Sequence, residues 1–175
     1  MPRVLLADDS PHAQRMGERI LREEGFEVVS VTDGDAAMQR LADSDPDVMV
    51  VDAFLPRRSG FDLCREVKSN AGMRHVQVVL TAGVLELLDE TEAMRAGSDA
   101  LLKKPFEASA MMDTLQPLVE AARMAREQAA RGTGPAARFD LEDERVRAAV
   151  TLAVDASMPT LVDEITRQVL SALKK

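Results

Sequence analysis

The sequence predicts an α/β fold, a doubly wound sheet of five parallel strands with helices on both faces, followed by a C-terminal helical extension. Three observations predict it. Five short apolar runs, most of them rich in valine, recur within the first hundred or so residues; segments with helical spacing lie between them; and polar residues gather where the runs end. Continuous apolar strands belong to sheets covered on both faces, and parallel neighbours need a crossover between them.

Residues 3–7 (RVLLA) supply the first strand. Ser10 followed by Pro11 opens a helix that runs to about Glu24, with Ile20 and Leu21 inward and Gly25 as its stop. Residues 26–31 (FEVVSV) form the second strand, and Asp33 to Asp43 a helix with Ala37, Met38 and Leu41 on one side. The third strand is 47–52 (DVMVVD), and the helix from Gly60 to Ser69 groups Phe61, Cys64 and Val67. Residues 76–80 (VQVVL) and 99–103 (DALLK) are the fourth and fifth strands, separated by a helix expected over Val84 to Arg95. A last helix from Glu107 to about Arg126 buries Met111, Leu115, Leu118 and Val119. Pro117 inside it predicts either a bend or a displaced boundary.

At 175 residues the chain accommodates one ordinary domain and an appendage. A net charge of -8 and a pI near 4.9 argue against a nucleic-acid footprint. Residues 1–120 carry 13 basic and 22 acidic side chains, whereas 121–175 carry 9 and 8, so two compositional regions are expected. The single cysteine, Cys64, excludes an internal disulfide and reads as a small buried hydrophobe. No run approaches the roughly 18 apolar residues that span a bilayer. A cytoplasmic protein without membrane insertion is expected.

Asp8 and Asp9 follow strand one, Asp52 ends strand three, Thr81 follows strand four, and Lys104 follows strand five just before Pro105. In open α/β sheets ligands bind at the carboxyl ends of the strands, so these groups converge on one patch. Three clustered carboxylates repel unless protons or a cation offset them, and such an oxygen-rich site suits Mg2+. Lys104 can meet a phosphate as a point charge and the Thr81 hydroxyl can donate to a phosphate oxygen. A carboxylate is also a competent nucleophile toward phosphorus, with Asp52 the central candidate.

The ordered set VLLADDS, DAFLPRRSG, LTAG and LLKKPF resembles the receiver domain of two-component response regulators, over residues 1 to about 122. The resemblance implies a flavodoxin-like, CheY-like sheet of order 2-1-3-4-5. It also implies that Asp8, Asp9, Asp52 and the backbone carbonyl of Phe54 hold Mg2+. Asp52 is then the phospho-acceptor, receiving the phosphoryl group from a histidine kinase or phosphotransfer protein. Thr81 and Lys104 would bind the phosphoryl oxygens, Pro105 would shape the lysine loop through a peptide bond that is usually cis in the family, and Lys103 would be a solvated neighbour. The family often carries an aromatic residue three positions before the lysine; Leu101 stands there, which puts the usual aromatic switch in doubt. Phe54 is bulkier than many residues at its position and is expected to shield an acyl phosphate from water; Gly83, two beyond Thr81, is smaller. Ser59 reads as a neutral helix cap. His12 reads as a surface residue of an early helix, and His75 as solvated in a turn before strand four.

Residues 123–140 read as a helix extension and flexible linker, and 141–175 as an amphipathic tail of two helices broken at Pro159. Asp140 could cap the first, with Val146, Val150, Ala153 and Val154 in its stripe; Leu161, Val162, Ile165, Val169 and Leu173 line the second. Such helices are marginal alone and must pack on the receiver, on each other, on a downstream protein partner or on a second copy as a homodimer. The tail lacks the basic recognition helix of a DNA-binding output. The leading reading is therefore a phosphorylation-dependent switch of protein–protein interactions rather than an enzyme. A phosphorylation-independent scaffold is the alternative. An aspartate-nucleophile phosphatase fits less well, because those enzymes resemble D-x-D and Asp52 is followed by Ala53 and Phe54.

Overall fold

The computed structural model describes residues 1–86 and 88–131. Met1–Glu127 is one compact unit. The expected tail helices, the cap at Asp140 and the break at Pro159 lie outside the described residues.

Five strands, β1 (Arg3–Ala7), β2 (Glu27–Val31), β3 (Val48–Asp52), β4 (Gln77–Ala82) and β5 (Ala100–Lys103), form one parallel sheet of order β2-β1-β3-β4-β5. The expected order and fold class are observed. The chain switches direction across β1 and β3, so the carboxyl ends of those two strands open onto the crevice where such folds bind ligands.

Side-chain alternation divides the core between the two faces of the sheet. Leu5, Ala7, Met49, Val51, Val78 and Leu80 pack with residues of α2 (Gly34–Ser44), α3 (Gly60–Ser69) and α4 (Glu90–Ala96). Val4, Leu6, Val48, Val50, Val79 and Leu102 pack with α1 (Pro11–Glu23) and α5 (Ala108–Ala130). Strands clothed on both sides explain the unbroken apolar runs of the sequence. Cys64 is fully buried in the first of these cores, and desolvation pushes its thiol up to about 11.

Caps fix the helix starts. Ser10 accepts from the Ala13 N–H, Asp33 from the Ala36 N–H, and Ser59 forms a reciprocal capping box with Asp62. Gly60 begins α3 directly beneath the site, where a Cβ would collide with the Asp52 backbone carbonyl.

The fourth helix differs most from expectation. It starts at Glu90 rather than Val84, because Asp89 caps it by accepting from the Thr91 and Glu92 N–H groups at 2.8 and 3.2 Å. Val84 and Leu85 remain 74% and 97% exposed in the connection. Their apolar character imitated a helical stripe without having a core to face. The last helix outruns its expected end at Arg126 and reaches Ala130, since residues 121–130 are almost all strong helix formers. Pro117 lies inside it. Pro117 and Asp113 are both exposed, so the Asp113 carbonyl deprived of its partner can reach water. Thr81 belongs to β4 itself, which runs on to Ala82, rather than following it.

Candidate functional site

Each polar group at the carboxyl rim is held by the element that carries it. Asp52 is the last residue of β3, buried, and pairs in register with Thr81 of β4, also buried. Asp8 follows β1 and is buried, with its Oδ1 accepting the Ser10 N–H at 2.9 Å; Asp9 is exposed. Asp52 Oδ1 accepts the Phe54 N–H at 2.8 Å. The Lys104–Pro105 peptide bond is cis, and Lys104 reaches inward from the end of β5.

Carboxylate oxygens of Asp8, Asp9 and Asp52 lie within 4.8 Å of one another. Lys104 Nζ donates to Asp8 Oδ2 at 3.2 Å and also to Asp52 Oδ2. Three acids are thus clustered, and Lys104 pairs with two of them. Desolvation raises the Asp8 carboxyl above its usual range, outweighing the Ser10 N–H and Lys104, and the neighbouring Asp52 charge adds to the rise. Burial pulls the Lys104 ammonium down, but Asp52 and Asp8 outweigh it and hold the group above the ordinary lysine value.

Phe54 is 48% exposed at the mouth of the site and makes an edge-to-face contact with Phe61, ring centroids 6.5 Å apart. Pro105 and Lys103 are exposed. Leu101 is partly buried and packs against the α2–α4 side of the core. Gly83 donates its N–H to Glu86, a carboxylate that the sequence did not single out. The structure therefore brings Asp8, Asp9, Asp52, Thr81 and Lys104 together, while Leu101 and Gly83 sit on the β4–β5 side of the patch.

Sequence reasoning misjudged His75. It is not solvated: its ring is 15% exposed, and its Nε2 is 2.8 Å from Asp45 Oδ1. The partner is thirty residues away in the chain, so no local pattern could have announced it.

A parallel sheet whose carboxyl rim gathers acids, a threonine and an inward lysine is the arrangement of a receiver domain. The chain belongs to the response regulator receiver domain family, whose sequence profile matches residues 4–116. It is 29% identical over 114 residues to the protein PilG of Pseudomonas aeruginosa, covering 65% of this chain and 84% of that one. It is 30% identical over 105 residues to the DNA-binding response regulator MtrA of Mycobacterium tuberculosis, covering 60% of this chain and 45% of that protein. Among solved structures, the chemotaxis response regulator CheY4 of Vibrio cholerae aligns with a TM-score of 0.62 at 27% identity, over 67% of this chain and 98% of that one. The receiver domain of a Pseudomonas aeruginosa sensor histidine kinase, with a magnesium ion coordinated in its active-site cleft, aligns with a TM-score of 0.62 at 27% identity, over 68% and 98% of the two chains. No helix among the described residues is long and apolar enough to cross a membrane.

Proposed function

We propose that Asp52 accepts a phosphoryl group from a histidine kinase or phosphotransfer protein in a Mg2+-dependent reaction, and that the modified receiver switches protein–protein interactions in the cytoplasm. The observation that carries this reading is the charge imbalance at the rim, where three carboxylates lie together and Lys104 pairs with two of them, Asp8 and Asp52. A donor set of carboxylate oxygens fits magnesium, which Asp8, Asp9, Asp52 and the Phe54 carbonyl would hold. When bound, the ion supplies positive charge that offsets both the acids and the incoming phosphoryl oxygens.

The chain's own groups do the rest. An Asp52 carboxylate oxygen attacks phosphorus in line; its new P–O bond forms as the P–N bond of the donor phosphohistidine breaks, and that electron pair stays on the imidazole nitrogen. Lys104 meets the phosphoryl oxygens as a point charge, and the Thr81 hydroxyl donates to one of them. Closure of Thr81 on the phosphoryl group displaces the end of β4 and the connection after it. There Leu101 and Gly83 replace the bulkier groups common in the family. Phe54 stands over the site and limits the approach of water.

The C-terminal segment, 141–175, serves in this reading as the interaction or oligomerisation element. Intact-mass measurement after incubation with acetyl phosphate tests the proposal. The parent gains one phosphoryl group with Mg2+ and none with a chelator, and Asp52→Asn gains none. An unchanged mass in the parent defeats the reading; phosphorylation with no change in self-association or partner binding makes the protein a phosphorylation-independent scaffold instead.

A further inference from the structure

The opposite rim of the sheet carries a second charge cluster that phosphoryl chemistry does not use. Arg126, in the last turns of α5, donates from Nε to Asp47 Oδ1 at 3.0 Å and from Nη1 to Asp45 Oδ2 at 2.5 Å. Its Nη2 donates to the carbonyls of Asp45 and Pro46 at 2.8 and 3.2 Å. One guanidinium thereby grips the whole connection between α2 and β3. Arg3 of β1 holds the same connection from the other side, donating from Nη1 to the Ser44 carbonyl at 2.8 Å and from Nη2 to Asp45 Oδ2 at 3.2 Å. The Arg3 N–H donates to Asp47 Oδ2 at 2.8 Å. His75, just before β4, completes the set through Asp45 Oδ1.

These charges balance only while His75 is neutral: Arg3 and Arg126 then face Asp45 and Asp47. A proton on His75 sets three cations against two carboxylates, with the imidazolium on Asp45 Oδ1 repelling the Arg126 guanidinium on Oδ2 of the same carboxylate. The contact matters because the family match ends at residue 116, whereas α5 continues to Ala130. Beyond the apolar anchorage of Leu118, Val119 and buried Ala122, Arg126 fastens this extra length of helix to the rim by charge.

We propose that the cluster is an acid-released clamp on the last turns of α5: neutral His75 leaves the rim's charges balanced, and protonated His75 adds a third cation beside Arg126 and loosens the helix from the rim. The groups facing His75 are Asp45 and Asp47 from the connection before β3, Arg126 from α5 and, through Asp45, Arg3 from β1. Burial, and then Arg126, hold the His75 pKa below the ordinary histidine value of about 6.5 despite Asp45. A lowered folded-state value means that the clamp's stabilisation is present above the ordinary value and is lost as pH falls through the lowered one.

The test follows the His75 ring and the α5 amides of the full chain by NMR as pH is lowered, with His12→Gln assigning the two histidine signals. His75 titrates below about 6.5 in the parent and moves up in Arg126→Ala. After correction for intrinsic exchange, the amides of residues 122–127 lose protection in the parent as His75 protonates. In Arg126→Ala they exchange roughly tenfold faster even at neutral pH, the effect of losing one charged hydrogen-bond partner. In His75→Gln they keep their protection in acid. A His75 titration unmoved by Arg126→Ala overturns the proposal, as does acid loss of protection in His75→Gln equal to the parent's. The His75→Gln arm stands alone should Arg126→Ala not fold.

Discussion

At the carboxyl rim of the sheet three carboxylates meet one ammonium, whereas at the amino rim two carboxylates meet two guanidinium groups. The first arrangement is incomplete and the second is satisfied. Asp8 of the first rim has its carboxyl raised by burial; Asp45 of the second is held below the usual range, chiefly by the hydrogen bond from Arg126. Carboxylates beside cations therefore serve opposite ends in one small domain. Where charge is left over, a cation and an anion would complete the site; where charge cancels, the fold is fastened.

Lys104→Ala should break the comparison hardest. It removes the one cation that, among the described residues, pairs with the buried Asp8 and Asp52, and unfolding in denaturant should show a loss of about 3 kcal/mol, much of it recovered by adding Mg2+. Arg126→Ala at the other rim should cost about 1–2 kcal/mol and not be recovered by Mg2+, because among the described residues Asp45 and Asp47 belong to no cluster of three such ligands. Equal rescue of both variants would erase the distinction between the rims.

Asp8→Asn sharpens the contrast with a gain. The sign follows from linkage: a carboxyl whose folded pKa is raised favours the folded state below its unfolded value, and that advantage is lost as pH rises through the folded value. At neutral pH the ionised Asp8 is thus a burden, and its neutral amide should stabilise the metal-free protein by on the order of 1 kcal/mol while weakening Mg2+ binding. The smallest effect is expected of Phe54→Asn, which leaves both rims intact and should shorten the acyl-phosphate lifetime only by roughly a few-fold, on the order of 1 kcal/mol of barrier. A dephosphorylation rate equal to the parent's removes the shielding role.

The carboxyl rim was legible in the sequence and the amino rim was not, for a physical reason. Strand ends can be read from apolar runs, and Asp8, Asp52 and Lys104 each sit one step from such an end, so topology alone assembles them. The Arg126 clamp joins residues about eighty positions apart through a helix whose final turns the sequence placed only approximately. His75 was misread for the same cause. The start of α4 was misplaced because Val84 and Leu85 have a core-like composition, whereas the Asp89 cap decides where the helix begins. Local capping and long-range pairing, rather than periodicity, account for those differences.

The central claim is that the crowded acids of the carboxyl rim are completed by a divalent cation. Thermal unfolding of the chelated parent protein, repeated across increasing Mg2+, tests it most directly. The midpoint should climb steadily with Mg2+ as mass action requires, and should stay nearly flat in Asp52→Asn. A parent midpoint indifferent to Mg2+, or a variant that climbs equally, would contradict the account.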